Sequence, residues 1–252
     1  ALHGTWLKIL GIDMVRYGVT GGRVSDPELD IFNGLKTQLG ELKKNNISVC
    51  FAYTEGAPSN TLSNPKKYRS MPDKPEEFAA HINKLFTFLK AYPNVKYFEF
   101  WNEPDIGFLD DTFENYLKNL KIVYSSGKAA NPAIQICTGG VTVKHPKEKK
   151  DFSKDMFQTG SDYYDIACFH AHGSLNSDEV RNEMIEKWLK EKNISKPLCN
   201  TETGERSGYK IGSIKRQAEV LVKKVVYAKS RNTVFYTWFT LQIGRASCRE
   251  RV

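Results

Sequence analysis

The sequence contains no apolar run long enough to cross a membrane, and no signal peptide is visible. It has no cysteines at CxxC spacing, so neither a zinc site nor a disulfide framework is indicated. It lacks the glycine-rich phosphate turn that a doubly wound nucleotide-binding sheet carries after its first strand; Gly21-Gly22 is a poor match. The net charge of +8 comes without aromatic residues interleaved among the basic ones. Lys147, Lys149 and Lys150 therefore read as solvated surface, and no nucleic-acid or membrane partner is expected. No initiator methionine is present, so a processed or truncated start is expected.

The two ends of the chain differ in character. Residues 243–252, IGRASCRERV, read as a translated sequencing adapter and are set aside as an artefactual tail. Its three arginines and one glutamate carry +2 of the charge, so the rest stays basic at +6. Setting it aside also removes Cys248. Cys50, Cys137, Cys168 and Cys199 each lie in an apolar, strand-like run and read as small core residues. Asn46-Ile47-Ser48 and Asn193-Ile194-Ser195 are glycosylation sequons, which matter only in a secreted eukaryotic protein.

What remains, residues 1–242, has the length and apolar content of one α/β domain. Helical spacing marks residues 29–45 through Ile31, Leu35, Leu39 and Leu42, and residues 76–91 through Phe78, Ile82, Leu85 and Leu89. Further helices are expected at 1–10, 112–130, 152–158 and 214–229, and at 178–192 with Val180, Met184, Ile185 and Trp188 turned inward. Strands are expected at 12–17, 47–53, 97–101, 134–138, 166–170, 198–201 and 234–238. The long polar loop over 54–75 reads as a functional lid or rim. Strands alternating with helices imply a parallel sheet with right-handed crossovers. Polar and aromatic residues recur at the strand ends, which favours a (β/α)8 barrel over an open sheet. Counting elements, the barrel is expected to be truncated, lacking its first strand and last helix.

The stretch YFEFWNEPD, 97–105, organises this reading. Tyr97 to Trp101 is an aromatic strand interrupted only by Glu99, and Pro104 stops it. Asn102 and Glu103 are thereby left at the strand's C-terminal edge, where barrels place reactive groups. A second strand ends in NTETG, presenting Glu202, 99 residues on and three strands away. Two carboxylates facing each other across a barrel mouth are what hydrolysis of an acetal requires. One is protonated to donate to the leaving oxygen, and the other is ionised to attack or stabilise the reacting carbon.

FEFWNEPD followed by TETG resembles the clan A glycoside hydrolases, which are retaining TIM barrels, and among them most of all family 39, with family 5 close behind. The likeness runs from Leu7 to about Leu241. It implies Glu103 as acid/base, Glu202 as nucleophile, and Asn102 as the partner of the sugar 2-hydroxyl. It further implies Arg16, in MVRY, as the cation that keeps the nucleophile ionised, and Trp238, in FYTW, as the aromatic floor under the sugar. It implies carboxylates about 5–5.5 Å apart, a carbohydrate substrate of β-xyloside type, or β-glucan or mannan if closer to family 5, no cofactor and an extracellular place of action.

The sequence departs from that pattern at 170–173, HAHG, where relatives carry His followed two residues later by Tyr. His172 takes the Tyr position, from which it reaches Glu202, and brings a group that titrates near neutrality. His170 and His172 also raise a metal-dependent alternative, an H-x-H pair at a strand end. Its weakness is further ligands, since His3, His81 and His145 lie elsewhere. A non-catalytic carbohydrate-binding barrel is the third class. Glu205 and Glu55 are the nearest substitutes for the two carboxylates and read as a loop charge and a rim residue. Trp101 is weighed as core or site with a lean to the site, and Asp105, Asp110 and Asp111 read as loop-solvating or helix-starting residues.

Overall fold

The computed structural model describes residues 4–21, 30–54, 56–143, 149, 151–205 and 214–239. His3, Gly22, Glu55, His145, Lys147, Lys150, the side chain of Ile31 and the 243–252 tail lie outside the described residues.

Strands and helices alternate as the periodicities predict. The order is α1 (Gly4–Ile9), β1 (Met14–Thr20), α2 (Asp30–Lys44), β2 (Ser48–Thr54), α3 (Pro75–Leu89), β3 (Val95–Phe100) and α4 (Phe113–Ala130). It continues with β4 (Gln135–Cys137), α5 (Phe152–Gln158), β5 (Ala167–His172), α6 (Asn176–Glu191), β6 (Leu198–Gly204), α7 (Ile214–Ser230) and β7 (Tyr236–Trp238). Two helices stop on an asparagine in the left-handed region, Asn46 after α2 and Asn193 after α6, each at φ near +55°. The following amide then reaches back to close the end, Ile47 N to Leu42 O and Ile194 N to Leu189 O, both 2.9 Å. Both asparagines that read as sequons are thus helix stops.

All strand pairs are parallel. β1–β2–β3–β4 form one sheet and β5–β6–β7 a second. Chain beyond β4 joins them: Val141 N donates to Cys168 O at 3.3 Å and His170 N to Val141 O at 2.8 Å. Cys50, Cys137, Cys168 and Cys199, from β2, β4, β5 and β6, are all buried free thiols and share one cluster with Ile166 and Phe235. Strand interiors from both sheets thus converge, while the larger core packs Phe78, Ile82, Leu85 and Leu89 of α3 and Tyr116 and Leu120 of α4 behind the first sheet.

Helix α6 departs from expectation. Val180 is 45% exposed, while Asp178, Asn182, Ile185 and Leu189 form the buried stripe. The stripe begins on polar residues because Asp178 is bound from within, by Lys224 Nζ at 2.7 Å and Asn200 Nδ2 at 2.8 Å. Lys224 is itself fully buried and also donates to Ala171 O and Thr203 Oγ1, fixing the ends of β5 and β6. The 54–75 loop carries a short 3-10 turn (Ser59–Thr61) and buries Leu62 and Met71. It is tied to the chain after β3 through Met71 N to Asp111 Oδ2, 3.0 Å.

Candidate active site

The site is assembled from the C-terminal halves of β3, β5 and β6 and from Arg16 within β1, which runs on to Thr20 rather than ending at Tyr17 as expected, and its hub is Glu99. This residue faces inward from β3, is completely buried, and accepts four close hydrogen bonds. Arg16 grips it with Nε at 2.6 Å and Nη2 at 3.1 Å; Thr201 Oγ1 and Gly140 N each donate to it at 3.0 Å. Burial opposes its charge, but the Arg16 guanidinium and the neighbouring His170 prevail and lower its pKa to about 2.

Arg16 is held by this pairing with its remaining donors aimed at the other site residues. Nη1 donates to Glu202 Oε2 at 2.9 Å and Nη2 to Asn102 Oδ1 at 2.8 Å. Although burial works against it, the two carboxylates hold Arg16 charged, with its pKa raised. The bond to Asn102 fixes the amide with its oxygen inward, so its NH2 group is turned away from the guanidinium.

Glu202 lies within β6, which runs on to Gly204 and does not stop at Thr201 as expected. In a regular strand Thr201 and Glu202 would face opposite sides. Here the β5–β6 register slips between Phe169 and His170: Phe169 pairs with Asn200 and His170 with Glu202. Thr201 is the extra residue of this bulge, a device that re-aims side chains. Both neighbours consequently reach the site, Thr201 to Glu99 and Glu202 to Arg16. Burial again opposes ionisation of Glu202, but His172 (Nε2 to Oε1, 3.3 Å), His170 and Arg16 lower its pKa from 4.5 to about 2.

Glu103 follows β3 in a tight turn whose residues Trp101 and Glu103 both have positive φ, +76° and +41°. Its Oε1 lies 2.9 Å from Nδ1 of His170, whose Nε2 is 3.1 Å from Thr201 Oγ1. Because Thr201 donates its own proton to Glu99, it accepts from His170, which makes Nε2 a donor. Burial disfavours the imidazolium, but the bond to Glu103, the nearby Glu99 carboxylate and the charge of Glu202 raise the pKa of His170 to about 9.

The structure therefore brings Arg16, Asn102, Glu103, His170, His172 and Glu202 together. Trp238 ends β7, half-buried, paired in register with Thr203 one residue beyond Glu202. Phe239, which sequence reasoning passed over, is 41% exposed and meets His172 edge-on at 6.3 Å between centroids. Glu99 and Thr201 were missed too. The signal for Glu99 was present, as the one charged residue inside an aromatic strand.

Other expectations are corrected. Trp101 is core: it is fully buried and its indole N–H donates to Phe108 O at 3.1 Å. Asp105 does not solvate a loop but is fully buried. The next helix is capped by Thr112, whose Oγ1 accepts from Asn115 N at 3.3 Å, and Asp111 stands just before that cap, accepting from Asn115 Nδ2 at 2.8 Å. Lys149 is not a solvated charge, since its ammonium binds the carbonyls of Pro104 and Ile106. Glu205 is buried and lies 3.6 Å from Arg216. His81 is buried in α3, 3.4 Å from Tyr53 Oη. Among the described residues no three of His, Cys, Asp or Glu are grouped to hold a metal, and both ring nitrogens of His170 are already engaged.

No family model and no curated protein matches the sequence. Solved structures do match. A family 39 glycoside hydrolase from the gut symbiont Bacteroides cellulosilyticus WH2 superposes with a TM-score of 0.68 at 17% identity, over 94% of this chain and 52% of that one. A glucosidase from Croceicoccus marinus gives 0.73 at 12% identity, over 93% and 55%. The endoglucanase Cel5A of Thermotoga maritima gives 0.66 at 16% identity, over 96% and 82%, and structures of that enzyme hold mannotriose and cellobiose. The fold is that of the clan A glycoside hydrolases. Against the first two of these glycoside hydrolases the chain spans about half the length of the neighbour.

Proposed function

We propose that this chain is the catalytic region of a retaining glycoside hydrolase on a (β/α)8 barrel. The observation that carries the reading is the unlike holding of two carboxylates. Glu202 is gripped by Arg16 and His172 and kept ionised, whereas Glu103 has no such cation pair among the described residues and is held through one oxygen by His170 Nδ1 at 2.9 Å.

In the first step a Glu202 oxygen attacks the anomeric carbon, and the bond from that carbon to the leaving oxygen breaks. The leaving oxygen takes a proton from the Glu103 carboxyl. Placed acids of this kind are worth roughly 10²–10⁴-fold. In the second step Glu103, now without the proton, withdraws one from water as the water oxygen attacks the same carbon and releases Glu202. Asn102, with its amide oxygen tied to Arg16, offers N–H to the sugar 2-hydroxyl, and Trp238 packs against the C–H face of the ring. The substrate is a carbohydrate of β-xyloside type, a choice that rests on the family 39 likeness of FEFWNEPD. A β-glucan or mannan is the alternative that the Cel5A likeness supports.

The test is Glu202→Ala assayed on a panel of nitrophenyl glycosides with and without azide. Rescue by azide, giving a glycosyl azide of inverted anomeric configuration, identifies Glu202 as nucleophile and the active panel member identifies the sugar. Wild-type turnover in the variant rules the pairing out. Loss of activity with chelator, restored by metal, would favour the His170/His172 alternative.

A further inference from the structure

The acid loop after β3 is held by a second set of residues that the reaction scheme above does not use. Asp105, two residues after Glu103, is completely buried and accepts four hydrogen bonds. They come from Thr142 N at 3.1 Å, Val143 N at 2.9 Å, Thr142 Oγ1 at 3.1 Å and Ser153 Oγ at 3.2 Å. All four partners are donors, a set that suits an acceptor-only carboxylate; an amide would turn its own N–H groups toward some of them. Thr142 is itself anchored from α6, where Arg181 Nε donates to its carbonyl at 2.8 Å.

Lys149 braces the same loop from the other side. Its ammonium donates to Pro104 O at 2.8 Å, to Ile106 O at 3.2 Å and to Leu109 O, and lies 5.4 Å from the centre of the Phe152 ring. Between these braces the backbone of Glu103 sits at φ +41°, a left-handed conformation that a residue with a side chain adopts only when its surroundings impose it.

We propose that Asp105, with Lys149 as its second brace, is a positioning residue for proton donation. The two hold Glu103 in its left-handed turn, so that its carboxyl meets both His170 and the leaving oxygen. The inference rests on the reading of Glu103 as the acid/base. It identifies a role distinct from folding, because the brace acts on the acid and leaves Glu202, Arg16 and Trp238 untouched, while Asn102 is held separately by Arg16 at 2.8 Å.

The chemistry supplies a selective readout. An alkyl aglycone leaves as an alkoxide unless it is protonated, whereas 2,4-dinitrophenolate leaves without help. Values of kcat/KM on the active sugar carrying each aglycone, with Glu103→Gln as reference, separate the two demands. Asp105→Asn and Lys149→Met are expected to lose about 10- to 100-fold on the alkyl glycoside, the scale of a small misplacement of a catalytic group. On the dinitrophenyl glycoside, which needs no acid, they should lose less than about threefold. Should Asp105→Asn fail to fold, Lys149→Met carries the test, since its side chain is only half-buried and its removal leaves the Asp105 bonds in place. Equal losses on both aglycones, or no loss on either, in a folded variant would overturn the positioning role. If Glu103→Gln itself shows no preference between aglycones, the acid/base reading fails, and this inference with it.

Discussion

Arg16 and Glu99 are joined by two hydrogen bonds, 2.6 and 3.1 Å long, and from that grip Nη1 of the same guanidinium reaches Glu202 at 2.9 Å. The candidate nucleophile is therefore oriented by a residue it does not touch. Glu99 sets the direction of Arg16, and Arg16, together with His172, holds Glu202 in place.

Glu99→Gln should show this in two ways. It leaves the Arg16 charge buried with one of its two carboxylates gone, a change of the kind that costs about 3–5 kcal/mol. It also frees Arg16 to swing, so kcat/KM should fall at least about 10²-fold, as for other misplaced catalytic groups. Denaturant unfolding and steady-state kinetics on the same preparation check both. A variant with wild-type kinetics would contradict the role of Glu99 as hub.

Gly140 tests how tightly the hub is packed. A Cβ there would lie 2.1 Å from His170 Nε2 and 2.7 Å from Thr201 Oγ1. Gly140→Ala must displace one or both, breaking the relay from Glu103 through His170 to Thr201 and Glu99. Overpacking of this kind costs about 1–3 kcal/mol, and activity is expected to fall with it. Thermal unfolding and a glycoside assay measure the pair of effects.

His170 links folding to pH. Its pKa is raised from 6.5 to about 9 in the folded protein, so it contributes stability fully below pH 6.5 and loses it as pH rises through 9. A shift of that size corresponds to a fall on the order of 3 kcal/mol in unfolding free energy across the window. His170→Gln should unfold with a flatter profile between pH 6 and 10. Parallel curves for the two proteins would show that His170 is neutral in the native state.

His172 sets the acid side of the activity profile. Glu202 is lowered to about 2 with His172 as the leading favourable cause, so its charge is lost only as pH falls through that value. His172→Phe removes the hydrogen bond and should move the acid limb of kcat/KM upward by about one unit. His172→Tyr keeps an O–H donor and should restore part of the shift. A limb unmoved by either change would place the control of Glu202 on His170 and Arg16.

The elements of this chain were legible in its sequence because each buries one face. Spacing of Phe78, Ile82, Leu85 and Leu89 marks α3, and apolar runs around the four cysteines mark the strand interiors. Glu103 was legible too, because Pro104 ends an apolar run at the residue where polar groups emerge. Period and punctuation are local properties, and local order in the chain suffices to write them. Val180 marks their limit: an apolar residue at helical spacing turned outward because Asp178, bound by Lys224 and Asn200, claims the inner face.

Tertiary structure decided which charges meet. Nothing within five residues of Glu99 or Asp105 says that one is paired with Arg16 and the other with the 142–153 segment, since those partners lie 83 residues away for Glu99 and 37 to 48 for Asp105. An acidic residue beside Pro104 has the composition of a solvated loop, and only its donors make burial tolerable. The bulge that brings Thr201 and Glu202 to the same side is a matter of register between β5 and β6, and no residue of either strand announces it. The sequence by itself determined the strands, the helices and the two carboxylates at their ends. Pairing across the sheets decided which charged groups each of them meets and what keeps each in place.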